Sequence, residues 1–206
     1  MREIDRQTHW RDVYAVKGEQ EVSWFQETPA PSLDLVALTG AASDAAIIDV
    51  GGGASRLVDH LLARGGADAT VLDLSGEALA ASQRRLGDHA SRVSAIEADV
   101  TQWEPDRAFD LWHDRAALHF LVAAEDRIAY VARLRRALKS GGHAIIGTFA
   151  IDGPERCSSL PVMRYDEAGL RELLGGGFLL VDARRHEHST PWVATQRFQF
   201  CTFRRA

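Results

Sequence analysis

From Ala45 onward, short apolar runs alternate with amphipathic stretches. The run "AAIIDV", 45–50, is rich in β-branched residues and predicts a strand that ends beside three glycines. Beyond them Leu57, Val58, Leu61 and Leu62 are spaced for one face of a helix over 54–64. The alternation continues with "ATVLDL" as a second strand, a helix over 76–86 with Ser75 as its N-cap, and "RVSAIEADV" as a third strand. "AFDLWHD" predicts a fourth strand and 124–138 a helix closed by "KSGG", where glycine suits the positive φ of a helix C-cap. "HAIIGTFAI" follows as a fifth strand. A short helix in "YDEAGLRELL" leads to two extended segments, "GFLLVDARRHEH" and "ATQRFQFCTFRR". Their connection, "STPW", leaves no room for a crossover helix, so this pair is expected to be antiparallel. The expected fold is α/β: a doubly wound seven-stranded sheet, mostly parallel with an antiparallel last strand, and helices on both faces.

Ahead of this core, expected over 45–206, lies an arm over 1–32 that ends in the proline-bearing "QETPAPS", read as a linker. A chain of 206 residues with 46% hydrophobic content suffices for one well-buried domain. The net charge is −5 and no block of like charge is long, so neither nucleic acid nor an anionic membrane is an expected partner. Two cysteines, Cys157 and Cys201, form no disulfide framework and no paired metal motif, which fits a reducing cytoplasm. "MREIDRQTHWRDVY" lacks the apolar core of a signal peptide, and no apolar run reaches the ~18 to 20 residues of a membrane span.

A glycine turn after the first strand sits where open α/β sheets bind ligands. The dinucleotide fingerprint fails because Arg56 stands where its third glycine would fall, and no Gly-Lys-Ser/Thr follows to make a phosphate loop. A ligand without phosphates remains.

"IIDVGGGAS" resembles the first motif of the class I S-adenosylmethionine-dependent methyltransferases, an acidic residue followed by G-x-G. "FDLWHDRAALHF" resembles the fourth-strand motif of that family, and "LRRALKSGGHAIIGTF" its helix, turn and fifth strand, with Ser140 in place of the usual proline. The resemblance implies S-adenosylmethionine as cofactor, held by Asp49, Gly51, Gly52 and Gly53 at the first turn. It implies ribose recognition by Asp73 with Leu74, adenine recognition by Asp99 with Val100, and contact from His113. The arm carries Trp10, Tyr14 and Trp24. Its W-x-x-x-Y segment is similar to that of small bacterial methyltransferases and of elongation-factor-type lysine methyltransferases, which implies an arm folded over the cofactor.

Methyl transfer from a sulfonium needs alignment of the acceptor and exclusion of water more than it needs a strong base. His113 and His119 are the candidate proton acceptors, and Asp114 is a candidate for orienting a cationic acceptor. Arg115 suits an anionic acceptor, and Arg156, Cys157, Met163 and Tyr165 follow the fifth strand where acceptors enter. His186 and His188 share a strand face without a third ligand, so no metal is expected. The expected reaction is methyl transfer to a small molecule. A protein lysine acceptor and a non-catalytic cofactor-binding module are the alternatives.

Overall fold

Five helices bracket a seven-stranded sheet, and a sixth lies outside these layers. The computed structural model describes residues 5–65 and 68–206. In chain order the elements are α1 (Arg6–Val16), α2 (Ala30–Leu38), β1 (Ala46–Val50), α3 (Leu57–Ala63), β2 (Asp68–Asp73), α4 (Gly76–Leu86) and β3 (Val93–Glu97). Then come β4 (Phe109–Arg115), α5 (Ala124–Ala137), β5 (Leu138–Phe149), α6 (Glu167–Leu174), β6 (Phe178–Ser189) and β7 (Thr195–Arg205). A two-residue ribbon pairs Arg156–Cys157 with Leu160–Pro161.

The strand order is β3-β2-β1-β4-β5-β7-β6. Strands β1 to β5 pair in parallel, and β7 runs antiparallel to both β5 and β6. This is the predicted sheet. Its runs are apolar at consecutive positions because both faces are covered. Ile47, Val71, Leu111 and Ile145 join the cluster under α2, α3 and α4, while their neighbours Ile48, Leu72, Trp112 and Ile146 join the cluster under α5 and α6.

Three boundaries differ from the sequence reading. The helix predicted over 54–64 begins only at Leu57, because 51–54 form the turn and the Ser55 hydroxyl accepts from the Leu57 NH. The "KSGG" segment lies inside β5 and does not cap α5: Phe109 pairs with Leu138 and Leu111 with His143, and Gly141, at φ 78°, sits in the resulting bulge. The "QETPAPS" linker becomes the start of α2, with Pro31 in its first turn and buried, and with Ser32 buried beside it. Among the described residues no helix is long and apolar enough to cross a membrane.

Helix α1 stands outside these layers. Asp5 caps it by accepting from the Gln7 NH, yet none of its residues is buried.

Candidate active site

A cavity opens at the carboxyl ends of β1 to β5, at the point where the strand order reverses between β1 and β4. Its first half is built from strand ends. Gly51 turns out of β1 at φ 69°, and a Cβ there would lie 2.7 Å from the Ala117 Cβ. A Cβ on Gly53 would lie 2.6 Å from Asp73 Oδ2 and 2.9 Å from the Ala78 Cβ. Only bare backbone fits this cradle. Gly52 lies against the Asp49 carboxylate.

Asp73 and Leu74 line the cavity at the end of β2, and Asp99 and Val100 just after β3. Asp73 accepts from the Ser75 NH at 2.9 Å. Burial pushes its carboxyl up to about 7, the nearby Asp49 adds to the rise, and backbone NH groups of Ser75, Gly53 and Leu74 oppose it. Asp99 uses Oδ1 on the Thr101 NH and hydroxyl, at 2.8 and 2.7 Å, and Oδ2 on Arg6 of α1 at 3.0 Å.

Aromatic rings cover this half. Trp10 meets Trp24 edge-on at 5.5 Å and Phe120 at 4.9 Å between centroids, and the Trp24 indole NH donates to the Tyr14 hydroxyl at 3.1 Å. Trp10, Tyr14 and Trp24 all line the cavity. Burial holds the Tyr14 phenol well above its ordinary value, so the hydroxyl stays protonated.

The other half lies toward β5 and β7. Arg115, His119, Phe120, Phe149, Cys157 and Phe198 line it. The His119 Nδ1 accepts from the Phe149 NH at 3.4 Å, which places the ring proton on Nε2, a buried atom with no partner. Burial, with Arg115 adding, lowers this imidazole to about 3. His119 is therefore a neutral donor and not the proton acceptor expected from the sequence. Burial raises the Cys157 thiol to about 11, so it is no thiolate at neutral pH.

The other candidate residues lie away from the cavity or at its edge. His113 does not line the cavity: its Nδ1 lies 2.6 Å from Asp49 Oδ1 and its Nε2 2.8 Å from the Ser32 hydroxyl, so both nitrogens are engaged behind the glycine turn. Asp49 is buried there with it, not exposed to the cavity. Asp114 is fully buried and holds the following loop, accepting from the Ala117 and Leu118 NH groups at 2.8 and 3.0 Å and from the Tyr130 hydroxyl at 2.7 Å. Its carboxyl faces no acceptor. Arg156 is exposed and bonds to the Ser159 carbonyl, while Tyr165 and Met163 pack in the core under α5 and α6. His188 Nε2 donates to the Ser23 carbonyl at 2.7 Å, and His186 lies 6.2 Å from the Phe200 ring.

Ser32, Arg6, Phe149, Phe198 and Gln196 were missed. No local pattern marks them, since each reaches the site through register or through the placement of the arm.

Residues 47–142 match the family described as "Methyltransferase domain". No curated protein sequence matches the chain. Among solved structures, the Burkholderia thailandensis 1,6-didemethyltoxoflavin-N1-methyltransferase, with 1,6-didemethyltoxoflavin and S-adenosylhomocysteine bound, is 25% identical with a TM-score of 0.69, over 98% of this chain and 85% of its own. The N-methyltransferase NodS from Bradyrhizobium japonicum WM9, in complex with S-adenosylhomocysteine, has a TM-score of 0.74 at 16% identity, over 98% of this chain and 99% of its own. The glycopeptide N-methyltransferase MtfA with S-adenosylhomocysteine has a TM-score of 0.70 at 16% identity, over 94% and 95%. The domain match and these cofactor complexes support S-adenosylmethionine as the cofactor.

Proposed function

We propose that the protein transfers the methyl group of S-adenosylmethionine to a small-molecule acceptor. The observation that carries this reading is the cradle at Gly51 and Gly53 with the buried Asp73 carboxyl against it and Asp99 one strand further on. Asp73, which lines the cavity, would accept from two ribose hydroxyls. Asp99 and the Val100 backbone are placed for the adenine edge. Gly51 lets the methionine portion approach the backbone. The arm, with Trp10, Tyr14 and Trp24, covers the cofactor and excludes water.

The bound cofactor supplies an electrophilic methyl on a sulfonium. An acceptor lone pair attacks the methyl carbon as the carbon–sulfur bond breaks. The bonding pair stays on sulfur as the neutral thioether of S-adenosylhomocysteine, and the acceptor loses a proton to solvent. This chain would align the acceptor on the β5–β7 side, where His119, Phe149 and Phe198 line the cavity. Among the described residues His119, lowered to about 3, and Cys157, raised to about 11, are not poised as general bases there, which suits an acceptor atom nucleophilic without one.

A lysine acceptor is disfavoured because Arg115 places a cation in that half and Asp114 is sealed in the core. Calorimetry tests the cofactor reading: S-adenosylhomocysteine should bind with a micromolar dissociation constant, about −8 kcal/mol. Heat with NADH and none with either S-adenosyl ligand overturns it. Methyl release across a panel of small acceptors, against labelling of lysate proteins, separates the two enzyme readings, and binding without transfer leaves the non-catalytic module.

A further inference from the structure

Arg115 at the end of β4 is a cation without a matching anion. Its NH1 donates to the Trp24 carbonyl at 2.9 Å, its guanidinium stacks 5.3 Å from the Phe198 ring centroid, and its NH2 is buried with no partner. Among the described residues no carboxylate lies within salt-bridge distance of it. Asp49 is near enough to stabilise its charge, with Oδ1 on His113 and Oδ2 unbonded, but no ion-pair contact joins it to Arg115. Burial lowers the guanidinium only to about 10, so it stays charged at neutral pH. An orphaned buried charge is costly, and a fold retains one most simply where a ligand completes it.

The position separates this cation from the cofactor half. Asp73 and Asp99 stand at the ends of β2 and β3, whereas Phe198 belongs to β7, three strands beyond β1 in the sheet. The rest of that half is apolar or neutral, with Phe120, Phe149 and the Cys157 thiol, and the His119 Nε2–H is a second donor lacking an acceptor. Such a wall suits a flat apolar body with one anionic edge.

We propose that the methyl acceptor carries an anionic group, a carboxylate in its simplest form, and that Arg115 receives it on the β7 side of the cavity. The proposal rests on the methyltransferase reading. Its chemistry is the bidentate match of guanidinium and carboxylate, with the stacked ring fixing the fork's plane.

The probes are benzoate, its neutral isostere benzamide and the cation benzylamine, titrated into protein saturated with S-adenosylhomocysteine. Calorimetry of S-adenosylhomocysteine comes first and reads the cofactor alone. If it fails, the methyltransferase reading fails and this proposal falls with it. Given cofactor binding, benzoate should bind at least tenfold more tightly than benzamide, with benzylamine weakest. Arg115→Gln should abolish the difference while changing S-adenosylhomocysteine affinity less than threefold, and Arg115→Lys should keep part of the preference if the glutamine variant does not fold. Equal binding of benzoate and benzamide, or no binding of benzoate, overturns the proposal on wild-type protein alone. A tenfold loss of S-adenosylhomocysteine affinity in the variants also overturns it, because Arg115 then holds the carboxylate of the cofactor.

Discussion

The His113 imidazole joins Asp49 on β1 to Ser32 on α2, with its Nδ1 2.6 Å from one and its Nε2 2.8 Å from the other. With both ring nitrogens engaged, the three side chains lock α2 to the base of the glycine turn. His113→Ala removes both bonds and strands a buried carboxylate, so the expected loss of stability is about 2–4 kcal/mol. Urea denaturation reads it. A variant as stable as wild type but without methyl transfer would return His113 to the chemistry.

Asp73 makes cofactor affinity depend on pH. Its folded pKa of about 7 lies above the ordinary carboxylate value, and ribose hydroxyls would donate more strongly to the ionised form. Binding therefore releases a proton below pH 7, and affinity should rise from pH 6 to 8 and then level off. Asp73→Asn should weaken binding by roughly 2–3 kcal/mol at pH 8 and flatten the profile. Calorimetry of S-adenosylhomocysteine in two buffers of different ionisation heat checks both; a wild-type profile already flat, with no proton released, refutes the ribose role.

Much of this site was legible because strand ends carry it. Asp73 ends an apolar run whose length and β-branching mark a buried parallel strand, Asp99 follows the next extended run, and three successive glycines announce a close approach of backbone. The prolines of 26–32 misled because proline serves a linker and the first turn of a helix equally, and burial of Pro31 and Ser32 decides between them. His113 and Asp114 were misassigned for a related reason. Alternate residues of β4 face opposite layers, both covered, so polar side chains at its end satisfy each other inside the protein and leave the cavity to Arg115. Phe198 and Gln196 reach the site through the register of β7 on β5, which no local pattern encodes.

Asp114 should shape the pH dependence of stability. Burial raises its folded pKa to about 6 against an unfolded value of about 3.9. An acid raised in the folded state contributes stability that is full below the unfolded pKa and is lost as pH rises through the folded one. Two pKa units correspond to about 3 kcal/mol, lost between about pH 4 and pH 6. Asp73 acts in the same direction up to about pH 7. His119, lowered to about 3, works in the opposite direction below about pH 6.5, so the test is the difference between proteins: in urea titrations from pH 4.5 to 8 wild type should lose stability relative to Asp114→Asn. Identical slopes would show that Asp114 stays ionised throughout.

Helix α1 is expected to behave as a lid. Its cavity-side residues Arg6, Trp10 and Tyr14 are only half-buried, and it is held over the cavity by the Trp10 contacts to Trp24 and Phe120 and by Arg6, which reaches Asp99 at 3.0 Å and Asp126 at 3.1 Å. Arg6 thus sits on the carboxylate placed for adenine, so its pair must loosen or shift as the ligand enters. Partly exposed ion pairs of this kind contribute little to global stability, whereas aromatic area closed over a ligand contributes to affinity. Hydrogen exchange across 6–25 should slow on addition of S-adenosylhomocysteine. Removal of residues 1–17 should lower cofactor affinity at least tenfold while shifting the melting temperature by only a few degrees. Equal protection with and without ligand, together with collapse of the truncated chain, would make α1 a structural helix and take Trp10 and Tyr14 out of the site.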